Sequence, residues 1–112
     1  MTRIGTDIAY IPRFERLPEH LLERLFTSFE RSEADARVKK SEYYSSRFAS
    51  KEAYVKALGT GFSGIAPADI EVRNGESGMP FLIVKGERKD NVRLSISHDG
   101  DYSVAFVLIE DE

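Results

Sequence analysis

The chain has 112 residues, 41% hydrophobic and 31% charged, which bounds it to one ordinary globular domain, residues 1–112, with one modest core. It contains no cysteine, so disulfides and thiolate metal sites are excluded, and a reducing cytoplasm suits it. With 16 basic and 19 acidic residues the net charge is -3, which argues against a general nucleic-acid binder, and no stretch approaches the ~18 apolar residues of a membrane helix.

The first residues, Met1 to Asp7, lack the basic region and apolar run of a signal peptide and read as a strand with a buried start. Residues 3 to 9 alternate: Ile4, Thr6 and Ile8 point one way, Gly5 and Asp7 the other. Pro12 interrupts this strand. From Pro18, the segment Glu19 to Phe26 places Leu21, Leu22, Leu25 and Phe26 at helical spacing. Thr27-Ser28-Phe29-Glu30 has the form of a capping box and predicts a second helix start. Arg37 to Lys40 reads as a polar, basic loop. Ser41 to Leu58 is the longest helical pattern, and Gly59 stands where a left-handed C-terminal cap is wanted. Aromatic and aliphatic residues cover one broad arc of this helix and Ala49, Ala53 and Ala57 the other, so it is expected to be central. Its long charged side chains, Arg47, Lys51, Glu52 and Lys56, must then find partners or snorkel, a first hint of a site.

Gly59 to Gly64 is a glycine-rich loop. Strand patterns follow at Asp69 to Arg73 and Pro80 to Lys85, joined by a hairpin connection at Asn74 to Gly78, and at Val92 to Ser97. After a turn at His98 to Asp101, Tyr102 to Ile109 reads as a continuous apolar strand of the buried kind. Helices early and strands late predict an α+β fold, a mainly antiparallel sheet packed against the long central helix.

Four groups of residues could carry chemistry. Asp7 and Glu52 offer the hard oxygen ligands that magnesium takes, one or two carboxylates alongside substrate phosphates. Acids so far apart in sequence are ordinarily solvated or salt-bridged, and only packing of the strand on the helix would bring them together. Glu52 and Lys56, one turn apart, fit an ordinary helix-stabilising pair worth ~0.2–0.5 kcal/mol as well as a metal ligand beside a phosphate-neutralising ammonium. The loop Gly59-Thr60-Gly61 follows a helix and lacks the lysine of a P-loop, so it is neither a Walker motif nor a dinucleotide fingerprint. In Ser95-Ile96-Ser97-His98 a serine hydrolase is rejected, because near-adjacent strand side chains diverge; the histidine is better suited to donate to a phosphate.

The order and wording of these segments resemble one family. Gly5-Thr6-Asp7-Ile8, then Arg47-Phe48-Ala49-Ser50-Lys51-Glu52-Ala53 with Lys56-Ala57-Leu58-Gly59-Thr60-Gly61, then Gly78-Met79-Pro80 and Ser95-Ile96-Ser97-His98 are similar to the holo-acyl-carrier-protein synthases. These are the small, single-repeat branch of the 4′-phosphopantetheinyl transferases, and the resemblance runs from about residue 4 to Glu110. It implies that Asp7 and Glu52 bind Mg2+ beside the coenzyme A pyrophosphate and that Lys56 faces the phosphates. It further implies that Arg47 contacts phosphate, that Gly59, Thr60 and Gly61 lie against the coenzyme, and that His98 stands near the adenosine 3′-phosphate. The family's trimeric assembly implies that Ser97 and His98 act on a neighbouring subunit's coenzyme. Arg13 matches an arginine that docks the acidic apo-acyl carrier protein, with Arg16 and Arg24 as further candidates.

The implied reaction moves phosphopantetheine from coenzyme A to a carrier serine, by family default in fatty-acid synthesis. Glu52, directly or through a water, is the candidate base, and Lys56 the candidate stabiliser of the leaving phosphate. Three features depart from the family pattern. Ser50 and Ser103 stand where alanine is frequent, which concerns packing, and the stretch between Pro12 and Phe26 is short, which concerns carrier preference. A non-catalytic coenzyme A-binding module of the same fold is the main alternative. A metal-dependent nuclease using Asp7, Glu52 and Lys56 is disfavoured by the acidic balance.

Overall fold

The N-terminal alternation forms strand β1, Thr2–Tyr10, in a computed structural model that describes residues 1–111. Pro12 sits near the start of a 3-10 turn, Ile11–Phe14, which turns the chain towards helix α1, Glu19–Leu25. Helix α2, Ser28–Asp35, starts from the expected capping box: the Glu30 N–H donates to Thr27 Oγ1 at 3.2 Å, and the Thr27 N–H donates to Glu30 Oε1 at 3.0 Å. Helix α3, Lys40–Leu58, ends at Gly59 with φ 80°, a conformation that costs a residue with a Cβ but not glycine.

The C-terminal half supplies β2, Ile70–Asn74, β3, Pro80–Val84, a two-residue β4, Glu87–Arg88, then β5, Val92–Asp99, and β6, Tyr102–Glu110. The fold is α+β as expected, but the antiparallel strands divide into two sheets, ordered β1-β6-β5 and β2-β3-β4. The second is a local meander. The first joins the two ends of the chain, with Ile4 opposite Leu108 and Asp7 opposite Ala105.

Twelve of the 19 residues of α3 are buried, so this helix is the central element, lying across the inner face of the first sheet. Ala49, Ala53, Val55, Val107, Ile109, Ile70 and Leu82 are sealed from solvent, and full burial of a large aliphatic side chain contributes about 1.5–3 kcal/mol. Both serine departures are hydrogen-bonded: Ser103 Oγ lies 2.8 Å from Ser45 Oγ, and Ser50 Oγ donates to Ser46 O at 2.8 Å. Neither buried hydroxyl is left without a partner.

Two expectations are corrected. The start of β1 is not buried on its apolar side: Ile4 and Ile8 are 62% and 61% exposed, while Gly5 and Ala9 face α3. Strand β6 is likewise buried on one face only, since Tyr102, Val104 and Phe106 are exposed and Ser103, Ala105, Val107 and Ile109 are not. The cause is helix proximity. The helix lies so near β1 that small residues must occupy the inner face there, and the bulky apolar side chains fall on the outer one. Ile8 pairs with Val104 and Thr6 with Phe106 in the register, so the outer face of β1 and β6 is largely apolar, while β5 adds Ser95 and Ser97 at its edge.

Candidate functional site

Gly5 sets the distance between strand and helix. A Cβ at this position would stand 2.0 Å from Ala53 O and 2.7 Å from Ala57 N, both main-chain atoms of α3. Only a residue without a side chain permits that approach. Asp7, two residues along the same face, therefore meets the next turn of the helix, which presents Glu52 and Lys56.

Lys56 Nζ donates to Asp7 Oδ1 at 3.0 Å and to Thr6 O at 3.1 Å. The Asp7 side chain is 16% exposed, whereas about half of Lys56 remains in solvent. Glu52 is half-buried. Burial pushes its carboxyl above the usual glutamate range, the Asp7 charge pushes it further, and Lys56 partly offsets both. The strand acid and the helix acid thus lie near enough for the Asp7 charge to act on Glu52, an approach that the sequence left open.

These two carboxylates suit a small hard cation. Among the described residues no group of three or more histidine, cysteine, aspartate or glutamate side chains gathers anywhere. A dedicated all-protein cage is therefore not what the pair offers. Two neighbouring oxygen donors, one of them half-buried, fit magnesium, which keeps waters and takes substrate phosphates to complete its shell.

The loop after α3 leaves Gly59, Thr60 and Gly61 exposed, and Thr60 Oγ1 donates to Gly61 O at 3.0 Å. Arg47 points elsewhere. Its guanidinium donates to Asn74 Oδ1 at 2.8 Å and to Ser46 Oγ at 3.0 Å, and lies 4.3 Å from the Tyr43 ring centroid. Buried Arg47 Nε has no hydrogen-bond partner. Arg47 lines a cleft of about 410 Å³ together with Arg37, Lys39 and His98. It also lines an adjoining cavity of about 1300 Å³ between the β2–β3 connection and β5. Neither is lined by Asp7, Glu52 or Lys56. Ser97 stands on the outer sheet face, opposite Val104. Within one chain, then, the expected site residues form two groups: Asp7, Glu52 and Lys56, and separately Arg47 and His98. Arg13, Arg16 and Arg24 are all exposed, the first in the 3-10 turn and the last in α1.

Sequence reasoning missed three participants. Glu42 Oε1 lies 3.5 Å from His98 Nε2 in the smaller cleft. Asn74, read only as part of a turn, holds Arg47. Glu30, read only as a cap, pairs with Lys51 at 2.6 Å, both side chains fully buried. Burial pushes the Lys51 ammonium down and Glu30 pulls it back. No sequence signal announces contacts between such distant positions, although an unpartnered lysine on a buried helix demands some acid.

A family model described as ACPS, 4′-phosphopantetheinyl transferase superfamily, matches residues 3–107. A holo-[acyl-carrier-protein] synthase of Wolbachia sp. subsp. Drosophila simulans (strain wRi) is 42% identical over 113 residues, covering 95% of this chain and 95% of that protein. Another, from Desulforudis audaxviator (strain MP104C), is 43% identical over 117 residues, covering 94% of this chain and 89% of that protein. Among solved structures, a holo-(acyl-carrier-protein) synthase from Bacillus anthracis str. Ames, in complex with CoA (3′,5′-ADP), superposes with a TM-score of 0.86. Its identity is 40%, with 98% of this chain and 96% of that chain covered.

Proposed function

The chain belongs to the 4′-phosphopantetheinyl transferase superfamily, among the holo-acyl-carrier-protein synthases, and from that premise we propose that it transfers phosphopantetheine from coenzyme A to a serine of an apo-acyl carrier protein. The observation that carries the reading is the approach of β1 to α3 at Gly5, which sets Asp7 against Glu52 and Lys56.

In this reaction the carrier's serine oxygen forms a bond to the β-phosphorus of coenzyme A. The bond from that phosphorus to the bridging oxygen breaks, and adenosine 3′,5′-bisphosphate leaves. Glu52 takes the serine proton, a role suited to a carboxylate whose proton affinity burial has raised. Lys56, half exposed where it bonds to Asp7 and the Thr6 carbonyl, places its charge beside the leaving phosphate. Asp7 and Glu52 would hold magnesium, which when bound supplies charge neutralisation on the phosphate oxygens. Gly59, Thr60 and Gly61 give the coenzyme an exposed backbone surface, and the cleft holding Arg47 and His98 supplies cations for its phosphates.

The two groups act together if chains assemble. The outer face of the β1-β6-β5 sheet exposes Ile4, Ile8, Tyr10, Tyr102, Val104 and Phe106, the kind of contiguous apolar surface that marks an interface. A homotrimer formed on this face would bring the Ser97–His98 end of one subunit to the Asp7 group of its neighbour. Arg13, Arg16 and Arg24, exposed among Glu15, Glu19 and Glu23, are the cations that receive the acidic carrier, and the whole process is cytoplasmic. No described helix is long and apolar enough to cross a membrane.

Mass spectrometry tests the reading. The protein, coenzyme A, magnesium and a panel of apo-carriers should give a carrier mass increased by one phosphopantetheine. Coenzyme A binding without any mass gain across the panel would identify a non-catalytic module instead. Unaltered turnover in both Asp7→Ala and Glu52→Ala would remove the metal assignment.

A further inference from the structure

We infer that Lys51 is a positioning residue that ties the carrier-facing helix α1 to the catalytic turn of α3. The inference rests on the docking role proposed for Arg13, Arg16 and Arg24. Lys51 precedes Glu52 directly, yet its side chain runs the other way, into the interior, where it is fully buried. There its ammonium makes two bonds. One goes to Glu30 Oε1 at 2.6 Å. The other goes to the carbonyl oxygen of Leu25 at 2.7 Å.

Leu25 is the last residue of α1, so its carbonyl belongs to the set that a helix leaves without internal partners. A cation suits that end of a helix dipole. Helix α1 buries no residue of its own. It is held to the body by the fully buried Phe26 that follows it, by partial packing of Leu22 and Leu25, and by this one interior ammonium. The Lys51 Nζ also lies 5.2 Å from the Phe26 ring centroid.

Glu30 completes the node. Its Oε1 accepts from the Thr27 N–H at 3.0 Å as well as from Lys51, and its Oε2 accepts from the Val72 N–H at 2.8 Å. One ion pair thus joins the C-terminus of α1, the first turn of α2, strand β2 and helix α3. Stability alone does not account for it, since a buried ion pair can often be replaced by apolar side chains at no loss. Its geometry supplies a mechanical link. Lys51 and Glu52 are separated by roughly 100° on a rigid helix, so any turn of α3 that follows the Leu25 carbonyl re-aims the Glu52 carboxyl by the same angle. A carrier pressing on α1 therefore acts on Glu52 through Lys51.

The test uses the charge-neutral double variant Glu30→Gln/Lys51→Met, which keeps one side-chain oxygen for either the Thr27 or the Val72 donor and a side chain of similar length in place of the lysine. With folding checked by denaturation, kcat at saturating carrier should fall about tenfold and the KM for apo-carrier should rise about tenfold, while the KM for coenzyme A stays within about twofold. Equal changes in the two KM values, an unchanged carrier KM or an unchanged kcat overturn the coupling. Arg24→Ala is measured alongside. If Arg24→Ala raises the carrier KM and the double variant does not, docking stands and the coupling falls. If neither Arg24→Ala nor Arg13→Ala raises it, the docking face falls and takes the coupling with it. Hydrogen exchange on the unaltered protein gives an arm that no folding defect can spoil. Added apo-carrier should slow exchange in α1 and also around Lys51 and Glu52, and protection confined to α1 overturns the proposal.

Discussion

Lys51 and Glu52 are neighbours in the chain and opposites in circumstance. The lysine sits in an interior cluster of matched partners: Glu30 accepts from three donors, and the ammonium donates to Glu30 and to the Leu25 carbonyl. The glutamate is half-buried beside a like charge, and burial first and the Asp7 charge second push its carboxyl above the usual glutamate range. Two acid–base clusters on one helix thus divide their work. The satisfied one organises the elements around it, and the unsatisfied one keeps capacity for a cation, a proton or a phosphate.

Four variants would break or sharpen this contrast. The largest effect is expected for Lys51→Ala, which strands the Glu30 charge in the interior and should lower stability by about 3–5 kcal/mol, read by urea unfolding. Next comes Glu52→Ala, which should leave the fold intact and slow carrier modification by about a hundredfold or more, a barrier increase of ~2.7 kcal/mol. If instead Glu52→Ala unfolds the chain and Lys51→Ala only slows turnover, the two clusters have been assigned the wrong way round.

Gly5→Ala should cost about 1–3 kcal/mol, the usual range for overpacking, because its Cβ meets main-chain atoms that cannot rotate away. It should also cut turnover out of proportion to the lost stability, since it parts Asp7 from Glu52. The smallest effect is the most diagnostic. A carboxyl whose folded pKa is raised adds stability when protonated and loses that contribution as pH rises through the folded pKa. Glu52→Gln should therefore raise the melting temperature at neutral pH. The gain should fade as pH falls through the raised folded pKa and vanish below 4.5, the ordinary glutamate value, where the carboxyl is protonated in the folded and the unfolded chain alike. A gain independent of pH would show that Asp7 and burial are not its cause.

Much of this was legible in the residues. The capping box at Thr27, the helix ending at Gly59, the strand order along the chain and the opposition of Asp7 to Ile4 and Ile8 all follow from local rules. What local rules could not supply was the sense of that opposition. Large aliphatic residues normally mark the core side of a strand, yet here the core side belongs to glycine and alanine, because the helix leaves no room for more. The same blindness hid the link from Lys51 to Glu30 and Leu25, since nothing in a helical repeat records what lies across the interior. The division into two sheets was hidden too, because alternation marks strands without saying which of them pair.

The obstacles at residue 5 are a carbonyl oxygen and an amide nitrogen, atoms common to all amino acids at positions 53 and 57. Exchanging the alanines there for still smaller residues would not make space, because the crowding lies in the main chain itself. Mutational drift along α3 can alter what the two acids encounter, but compensation for a bulkier residue 5 would have to come from moving the whole helix.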